Sequence, residues 1–307
     1  MSTEITTDLQ RVVEALKNGD VVALPSETVY GLAASIDSEE ALGKIFLLKG
    51  RPSDNPLIVH ALDLESVSQF AEVTPEFKKL YDHFMPGPLT VLLKKKAGMS
   101  DRVSCGLPTV ACRIPEHPLF REVLRKLGKP LAAPSANLSG TPSSTCSQHV
   151  FDDFSPKLGL ILEGGPCSGG IESTLIKIEE DQGVILRPGL IEKNELERVL
   201  GIPFIFASKN APLEAPGMKY RHYAPKAKVT LIEDWLQFNQ LFEKPCGVFF
   251  ISKEPITNPS IRWEPLNEET LYAALRNADK EGCHSVYISM HPELSEGMVN
   301  RLKKCAD

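Results

Sequence analysis

Two cations and two short polar side chains lie close together in segment 49–60. Lys49 and Arg51 carry the charges, and Ser53 and Asn55 provide the short polar groups. Arginine presents a planar fork to phosphate oxygens, lysine presents a point charge, and prolines in a loop reduce the entropy lost when it is ordered. The segment therefore predicts a site for a phosphate-bearing ligand. A solvated basic loop that only closes a helix is the alternative from this segment alone.

A helix end and a buried strand position this loop. Apolar residues recur at helical spacing behind Ser38, and Gly50 supplies a stop, so the pattern predicts a helix that ends at Lys49. The apolar run 57–59 then predicts a buried strand that ends in His60. The polar groups between these elements therefore lie on a short turn, which two prolines stiffen.

Hydroxyl groups and a carboxylate follow the first predicted strand, 21–24, at Ser26, Glu27 and Thr28. Ligand sites in α/β folds usually lie where strand ends meet. The segment therefore predicts part of a small-molecule site. Capping of a helical turn by Ser26 and Thr28 is the alternative.

Three later segments carry similar polar groups. Arg113 lies at the end of the apolar strand 109–114, where it needs an anion or a route to solvent because an unpaired buried charge is very costly. Small side chains in 132–143 would let a flat ligand approach the backbone, and a plain Ser/Pro-rich turn is the alternative there. A glycine pair at 169–170 leads into a polar strand start, and Arg187 follows later in the chain.

Composition limits the classes of function. The chain has 307 residues, 42% of them hydrophobic, and a formal net charge of -6, so an anion site has to be local rather than a property of the whole surface. The seven cysteines form no CxxC pair and no zinc spacing, and the sequence shows no signal peptide and no apolar run of membrane-spanning length. Standard phosphate-loop and dinucleotide motifs are also absent. We therefore expect reduced thiols and a cytoplasmic protein with a nonstandard nucleotide site.

The order of predicted elements divides the chain into three parts. Residues 1–206 predict one α/β domain with a mixed sheet, because several strands are separated by turns too short for a parallel crossover. Residues 207–227 contain several prolines and few aliphatic residues, which is typical of a linker or a lid over a surface. Residues 228–307 predict a small α/β domain without a cluster of catalytic or ligand-binding residues of its own. Its predicted helices lie near 235–242, 268–278 and 297–305.

Five segments in order resemble the YrdC/Sua5 family. They are 26–32, 49–57, 133–137, 172–174 and 187–189. Segment 215–225 is similar to the linker that distinguishes the longer Sua5-type members from single-domain YrdC-type ones. The resemblance implies a twisted mixed α/β sheet with a concave cationic surface, followed by a small Rossmann-like α/β domain, which is shorter here than in many members.

The resemblance also implies an activity, that of a threonylcarbamoyl-AMP synthase, which is a nucleotidyltransferase. L-threonine, bicarbonate and ATP would give L-threonylcarbamoyladenylate and pyrophosphate, through a carbamate whose carboxylate attacks the α-phosphate of ATP. The product would pass to the machinery that transfers the threonylcarbamoyl group to adenosine 37 of tRNA, the t6A modification. Mg²⁺ is expected to travel with ATP, held mainly by the phosphates, since no carboxylate cage is visible in the sequence.

The family motifs, carried over by position, imply two adjoining pockets. The ATP side is expected to contain Lys49, Arg51, Asn55, Thr109, Ser135, Asn137, Ser143, Arg187, His222 and Tyr223. Among these, Lys49 and Arg51 are expected to act as the catalytic cations, and His222 and Tyr223 to close over bound ATP. The threonine side is expected to contain Thr28, His60, Arg113, Ala133 through its backbone, and Ser173. Arg113 is the natural bidentate partner for the amino acid carboxylate, whereas a satisfied structural histidine is the alternative for His60.

Two other interpretations remain open from the sequence. An RNA-binding module would use a concave basic surface to hold an RNA backbone, and direct contact with tRNA is undecided. Thr28, Arg113 and Ser173 argue against it, because they suit a small amino acid and serve no purpose in tracking phosphates. A carbamoyl-transfer domain of the kind found in hydrogenase-maturation proteins is disfavoured, since an acylphosphatase-like segment and zinc-finger cysteines are absent.

Overall fold

A computed structural model describes residues 2–208, 222–233, 247–255 and 262–306. Within these ranges the strands form an eleven-stranded sheet in the first part of the chain and a four-stranded sheet in the last part. The strands are β1 (Glu4–Thr6), β2 (Val22–Leu24), β3 (Gly31–Ser35), β4 (Ile58–His60), β5 (Leu89–Lys94), β6 (Thr109–Arg113), β7 (Leu131–Ala132), β8 (Leu160–Leu162), β9 (Thr174–Ile178), β10 (Gly183–Arg187), β11 (Phe204–Phe206), β12 (Lys228–Ile232), β13 (Val248–Ser252), β14 (Arg262–Pro265) and β15 (Ser285–Ser289).

The helices of the described ranges pack on these sheets. They are α1 (Leu9–Lys17), α2 (Glu39–Lys49), α3 (Leu64–Ser68), α4 (Pro75–Phe84), α5 (Asp101–Ser104), α6 (Pro118–Leu127), α7 (Ser147–Phe154), α8 (Lys193–Leu200), α9 (Leu271–Lys280) and α10 (Glu296–Ala306). Each of these helices is too short or too polar to cross a lipid bilayer.

The large sheet is mixed, as the short turns predicted. Its order is β1-β8-β2-β3-β7-β4-β6-β5-β9-β10-β11. The pairs β4–β6 and β5–β9 are parallel, whereas β5–β6 and β9–β10 are antiparallel. This arrangement brings the ends of β4, β6 and β10 to the same edge as the start of β9, so polar residues at these points converge there.

Helix α2 delivers the basic loop to that edge. The Ser38 side chain accepts a hydrogen bond from the Ala41 N–H at the start of the helix, which satisfies one of its free donors. Gly50 ends the helix with a φ of 59°, a left-handed conformation that glycine adopts without strain. The predicted cap and stop are therefore both present.

The second sheet is entirely parallel, in the order β12-β15-β13-β14. Helices α9 and α10 pack on it, and their apolar side chains form one buried cluster with Val29 and Ile171 of the first domain. Gly297 lets the backbones of the two domains meet at this junction, because a side chain on it would lie 2.6 Å from the Gly189 carbonyl oxygen. The two domains are therefore packed directly against each other.

Several elements differ from the predictions in extent or were missed. The sequence pattern did not predict β1, β3, β11, β14 or the helices α3, α5 and α7. Helix α7 begins at Cys146, whose side chain makes no capping hydrogen bond, so the usual start signal is missing. The helix predicted near 235–242 and most of the linker lie outside the described residues.

Candidate active site

A cavity of about 60 Å³ lies at the edge of the large sheet where the strand ends converge. Strand ends, the loops that follow them, and the described end of the linker all contribute to its wall. The lining residues are Ser26, Thr28, Val29, Tyr30, Gly31, Arg51, Ile58, His60, Arg113, Phe120, Ala133, Pro134, Ser135, Asn137, Ser143, Glu172, Ser173, Arg187, His222 and Tyr223. Twelve of the fifteen residues predicted for the two pockets therefore surround one hollow, and Lys49, Asn55 and Thr109 do not line it.

Arg113 lies at the centre of the side predicted for threonine. Its Nη2 donates to Glu27 Oε1 at 2.6 Å, its Nη1 donates to Thr28 Oγ1 at 2.8 Å, and its Nε donates to the Gly87 carbonyl oxygen at 3.2 Å. Burial raises the pKa of Glu27, but the charge and hydrogen bond of Arg113 outweigh it, so the pKa lies below the usual range. A guanidinium group has five N–H donors, and two therefore remain for a ligand.

His60 lies beside Arg113, since the two residues are paired across β4 and β6. Its ring stacks on Phe120 with 5.0 Å between centroids, and its Nδ1 is buried without a hydrogen-bond partner in the described part of the chain. Burial, followed by the Arg113 charge, lowers the pKa of His60 to about 3. The ring is therefore neutral at neutral pH, with one unsatisfied nitrogen near a cavity that it lines.

Small and hydroxyl-bearing residues complete this side of the cavity. Ser26 Oγ donates to the Val29 carbonyl oxygen at 2.6 Å, which fixes the turn that carries Thr28. Gly31 approaches Ala133 so closely that a side chain on it would lie 3.2 Å from the Ala133 Cβ. The wall here is thus narrow, as a site for a small ligand requires.

Ser173 and Arg187 lie next to each other in the lining of the cavity. Ser173 Oγ lies 2.7 Å from Thr90 Oγ1, and it accepts a hydrogen bond from Arg187 Nη2 at 3.1 Å. Arg187 Nε also donates to the Ser173 carbonyl oxygen at 3.2 Å. These hydrogen bonds of Arg187 go to neutral oxygens, so the bonds themselves leave its charge uncompensated.

Arg51 supplies a further cation to the cavity. Its Nη2 donates to Asn55 Oδ1 at 2.7 Å and to the Pro56 carbonyl oxygen at 2.6 Å, and its Nε donates to the Asn55 carbonyl oxygen at 2.9 Å. Burial is the main cause that lowers the pKa of Arg51, to about 10, so it remains charged at neutral pH. Asn55 thus orients Arg51 from behind, which explains why Asn55 itself does not line the hollow.

Lys49 is buried, and its ammonium group is turned away from the cavity. Its Nζ donates to the carbonyl oxygens of Ser135 at 2.5 Å and Asn137 at 2.7 Å. Burial and then the Arg51 charge hold the pKa of Lys49 well below its usual range. In this structure Lys49 therefore supports the loop that carries Ser135 and Asn137, and its predicted contact with phosphate stays a prediction.

Thr109 lies at the far end of β6 from Arg113. It is paired with Lys94, whereas Arg113 is paired with Thr90. Four residues of strand span about 13 Å, which places the Thr109 backbone well away from the cavity. Its predicted contact with the nucleotide has no geometric support here and stays a prediction.

Glu172 belongs to segment 172–174, one of the five that resemble the family, but the sequence did not indicate which residues it contacts. It lines the cavity, and its Oε1 accepts a hydrogen bond from Ser143 Oγ at 2.5 Å. Its Oε2 accepts from Tyr272 Oη at 2.8 Å and from Arg301 Nε at 2.7 Å, both in the C-terminal domain. A signal was present, since both partners belong to helices predicted from the sequence, but contacts between residues 100 and 129 positions apart are not visible in local patterns.

His222 and Tyr223 cover the side of the cavity that Arg51 and Arg187 line. Tyr223 is buried and has a φ of 65°, which is rare for a residue with a side chain. Burial, followed by the charges of Lys304 and Arg51, lowers the pKa of His222 to about 3. Both residues line the cavity, and their predicted closure over bound ATP stays a prediction.

The carboxylates near the cavity are already engaged with arginine. Glu27 pairs with Arg113, and Glu172 pairs with Arg301. No group of three or more His, Cys, Asp or Glu residues that could hold a metal ion is found in the described ranges. Because these carboxylates are paired with arginine, the site fits a divalent cation held by the oxygens of a bound phosphate chain better than one held by protein carboxylates.

Comparisons with known proteins show which family this chain resembles. Residues 14–189 match the family model Sua5_yciO_yrdC, described as "Telomere recombination", and residues 191–307 match the model described as "Threonylcarbamoyl-AMP synthase, C-terminal domain". A threonylcarbamoyl-AMP synthase of Bacillus subtilis is 37% identical over 332 residues, which cover 100% of this chain and 96% of the relative. One of Pyrococcus abyssi is 43% identical over 223 residues, which cover 71% of this chain and 66% of the relative.

Solved structures extend the similarity to the whole fold. A crystal structure of P. abyssi Sua5 complexed with L-threonine matches with a TM-score of 0.89 and 34% identity, over 99% of this chain and 96% of that one. The structure of Escherichia coli YciO matches with a TM-score of 0.56 over 63% of this chain and 96% of that one, and at 22% identity it supports the fold alone. The mixed sheet and the two-domain arrangement are thus shared with a solved relative.

Proposed function

The chain belongs to the Sua5/YciO/YrdC family, and we propose that it is a threonylcarbamoyl-AMP synthase that forms L-threonylcarbamoyladenylate and pyrophosphate from L-threonine, bicarbonate and ATP. One observation carries the proposal: a single hollow holds Arg113 on one wall, with two N–H donors unpaired among the described residues, and Arg51 and Arg187 on another. An amino acid carboxylate and a triphosphate are the anions that these two walls suit.

The Arg113 wall would bind L-threonine. Its two remaining N–H groups can hold the substrate carboxylate in a bidentate pair. The unsatisfied Nδ1 of His60 and the hydroxyl of Thr28 can then bond to the amine or hydroxyl of the amino acid. Phe120 and Ala133 also line the cavity and would contact the side chain of the amino acid.

The Arg51 wall would bind the triphosphate of ATP. Arg51 and Arg187 provide positive charge toward the cavity, and Ser135, Asn137 and Ser143 provide neutral hydrogen-bonding groups. Mg²⁺, when bound with ATP, would neutralise further phosphate charge, and its ligands would be mainly phosphate oxygens and water.

The reaction needs positioning and charge stabilisation more than a protein nucleophile. The threonine amine adds to the carbon of bicarbonate and water leaves, which gives a carbamate. A carbamate oxygen then attacks the α-phosphorus of ATP in line, the new P–O bond forms, and the bond to pyrophosphate breaks. Arg51 and Arg187 would stabilise the negative charge that moves onto the leaving pyrophosphate. Tyr223 and His222 would exclude water, which would otherwise hydrolyse the carbamate and the mixed anhydride.

The product is a reactive mixed anhydride, which suits a role as an intermediate. We propose that it is the donor from which the threonylcarbamoyl group is transferred to adenosine 37 of tRNA. We propose that a separate enzyme, which binds the tRNA acceptor, carries out the transfer itself.

Incubation of the purified protein with ATP, Mg²⁺, L-threonine and labelled bicarbonate tests the proposal. Threonylcarbamoyladenylate and pyrophosphate should appear in equal amounts, and omission of threonine should abolish both. Failure to form either product, together with tight binding of single-stranded RNA, would favour the RNA-binding alternative instead.

A further inference from the structure

Two side chains of the C-terminal domain reach a carboxylate in the wall of the cavity. Arg301 on α10 and Tyr272 on α9 both donate to Oε2 of Glu172, at 2.7 Å and 2.8 Å. Arg301 also donates from Nη2 to the Glu172 carbonyl oxygen at 3.2 Å and from Nη1 to the Pro188 carbonyl oxygen at 2.8 Å. Arg301 is fully buried. Its hydrogen bonds connect α10 to the backbone at Glu172 and at Pro188, the residue after Arg187.

The same two side chains support Tyr223. The rings of Tyr223 and Tyr272 stack with 5.5 Å between centroids and an angle of 26°. The Arg301 Cζ lies over the Tyr223 ring, 5.1 Å from its centroid, in the geometry of a cation–π contact. Because a tyrosine with positive φ is strained, surrounding contacts have to hold it in place. The contacts of Tyr272 and Arg301 come from the C-terminal domain.

The charges at this junction explain why an arginine is needed. Glu172 is buried within electrostatic reach of two cations, Arg301 and Arg187. Burial raises the pKa of Glu172, but Arg301 and then Arg187 outweigh it and bring the pKa to about 2, so the carboxylate is charged. With Arg301 bonded to Glu172 at 2.7 Å, the charge of Glu172 is compensated. Arg187 therefore does not have to serve as its counter-ion and is available to an anion in the cavity.

We propose that Arg301 is a positioning residue for the nucleotide side of the site: it compensates Glu172, so that Arg187 stays available to the triphosphate, and it holds Tyr223 over the cavity. This inference rests on the proposed function. It assigns to the C-terminal domain a direct part in forming the ATP site. In an enzyme without Arg301, the buried Glu172 would draw Arg187 toward itself and compete with the phosphates for its charge.

The test compares variants of the full-length chain. Arg301→Met keeps most of the side-chain volume and removes the charge, Arg301→Lys keeps the charge without the planar fork, and Tyr272→Phe removes one hydrogen bond to Glu172. Lys280→Met is the control, because Lys280 forms another pair between the domains, with Asp152 at 3.0 Å, but this pair is exposed and away from the cavity. Binding of α,β-methylene-ATP with Mg²⁺ and of L-threonine would be measured by calorimetry, with folding checked by circular dichroism.

Arg301→Met should weaken binding of the ATP analogue by about tenfold or more, the size expected when an interaction of a charged group is lost, while L-threonine binding changes by less than about twofold. The affinity of Arg301→Lys for the ATP analogue should lie between those of Arg301→Met and the unchanged protein. The affinity of Lys280→Met should equal that of the unchanged protein. The double variant Arg301→Met with Glu172→Gln should recover part of the lost affinity, because the competing charge is gone. A purely structural role of Arg301 would not give that recovery.

Equal losses for the ATP analogue and L-threonine would overturn the proposal, as would a double variant that binds no better than Arg301→Met. If Arg301→Met fails to fold, Tyr272→Phe becomes the deciding variant. A loss of affinity of less than tenfold, seen for the ATP analogue and not for L-threonine, supports the proposal. Unchanged affinity for the ATP analogue overturns it. Failure of the proposed function would be seen separately, since the unchanged protein would then form no threonylcarbamoyladenylate.

Discussion

Arg113 and Glu27 form a buried ion pair, with 2.6 Å between Nη2 and Oε1, at the wall that we assign to threonine. The sequence indicated that Arg113 needs an anion, and the structure supplies one from within the protein. This pair fixes the guanidinium plane while two N–H donors remain free. A preoriented fork of this kind loses little entropy when it binds a carboxylate.

Arg113→Ala should weaken L-threonine binding by about 10- to 100-fold, because the site loses a charge-assisted bidentate pair. ATP binding should change little, since Arg51 and Arg187 lie on another wall. Calorimetric titration of each ligand measures both effects. Glu27 would be left buried without its counter-ion in this variant, so Arg113→Ala with Glu27→Gln is the matched control. Equal weakening of both ligands in that double variant would contradict the assignment.

Removal of Arg51 should mainly lower activity, whereas removal of Lys49 should lower both activity and stability. Arg51→Ala should lower kcat/KM for ATP by about 10- to 1000-fold, because Arg51 faces the cavity and would stabilise charge at the phosphates. The free energy of unfolding should change much less than the activity. Steady-state kinetics and urea unfolding on the same preparation compare the two quantities.

Lys49→Met should lower both activity and stability. Its ammonium group holds the carbonyl oxygens of Ser135 and Asn137, and these become unsatisfied when it is removed. A lost bond to a charged donor costs about 2 kcal/mol of unfolding free energy. Unchanged stability with a large loss of kcat would instead favour the predicted direct contact between Lys49 and phosphate.

Tyr223→Ala should lower turnover by at least about tenfold without unfolding the first domain, because the cavity loses its cover. Uncoupled release of AMP from ATP, measured as the ratio of AMP to threonylcarbamoyladenylate, should rise as water enters. Tyr223→Phe is the control, since it keeps the ring that Arg301 and Tyr272 contact. A Tyr223→Ala enzyme with normal turnover and an unchanged ratio would remove the proposed role.

Stability should fall between pH 7 and pH 5 partly because of His60. Its pKa is about 3 in the folded protein and about 6.5 in the unfolded chain, so the unfolded state binds the additional proton in this range. The contribution is present above pH 6.5 and is lost as the pH falls toward 3. It amounts to about 2 kcal/mol between pH 7 and pH 5.

His60→Asn should therefore reduce the pH dependence of the unfolding free energy, measured by urea titration at each pH. His222 and His149 also have lowered pKa values, about 3 and about 4, so some dependence should remain. An identical slope in the variant and the unchanged protein would contradict the buried neutral state of His60.

Local patterns in the sequence predicted the elements that carry the site. The cap at Ser38, the stop at Gly50 and the strand end at Arg113 are all present, because each depends on residues only a few positions apart. Short elements with weak signals were missed. Strand β1 has three residues and lies at the edge of the sheet, where pairing with β8 decides its structure more than its own composition does.

Contacts between distant segments could not be predicted in the same way. The partners of Arg113 lie 85 and 86 positions away, and Arg301 lies 129 positions from Glu172. The burial of Lys49 is a similar case, since the carbonyl oxygens that accept its hydrogen bonds come from a loop far along the chain. Residue types indicated the chemistry of the site, whereas tertiary packing decided which side chains face the cavity.

The contact between Gly189 and Gly297 has a consequence for recombination between relatives. At this point one domain's backbone rests on the other's, and no side chain fits in either position. A chimera that joins this first domain to the second domain of a homologue would therefore need a glycine from that homologue at the position of Gly297. A parent with alanine at the position of Gly297 would displace α10, and the nucleotide site would be lost in a hybrid whose two halves each fold well.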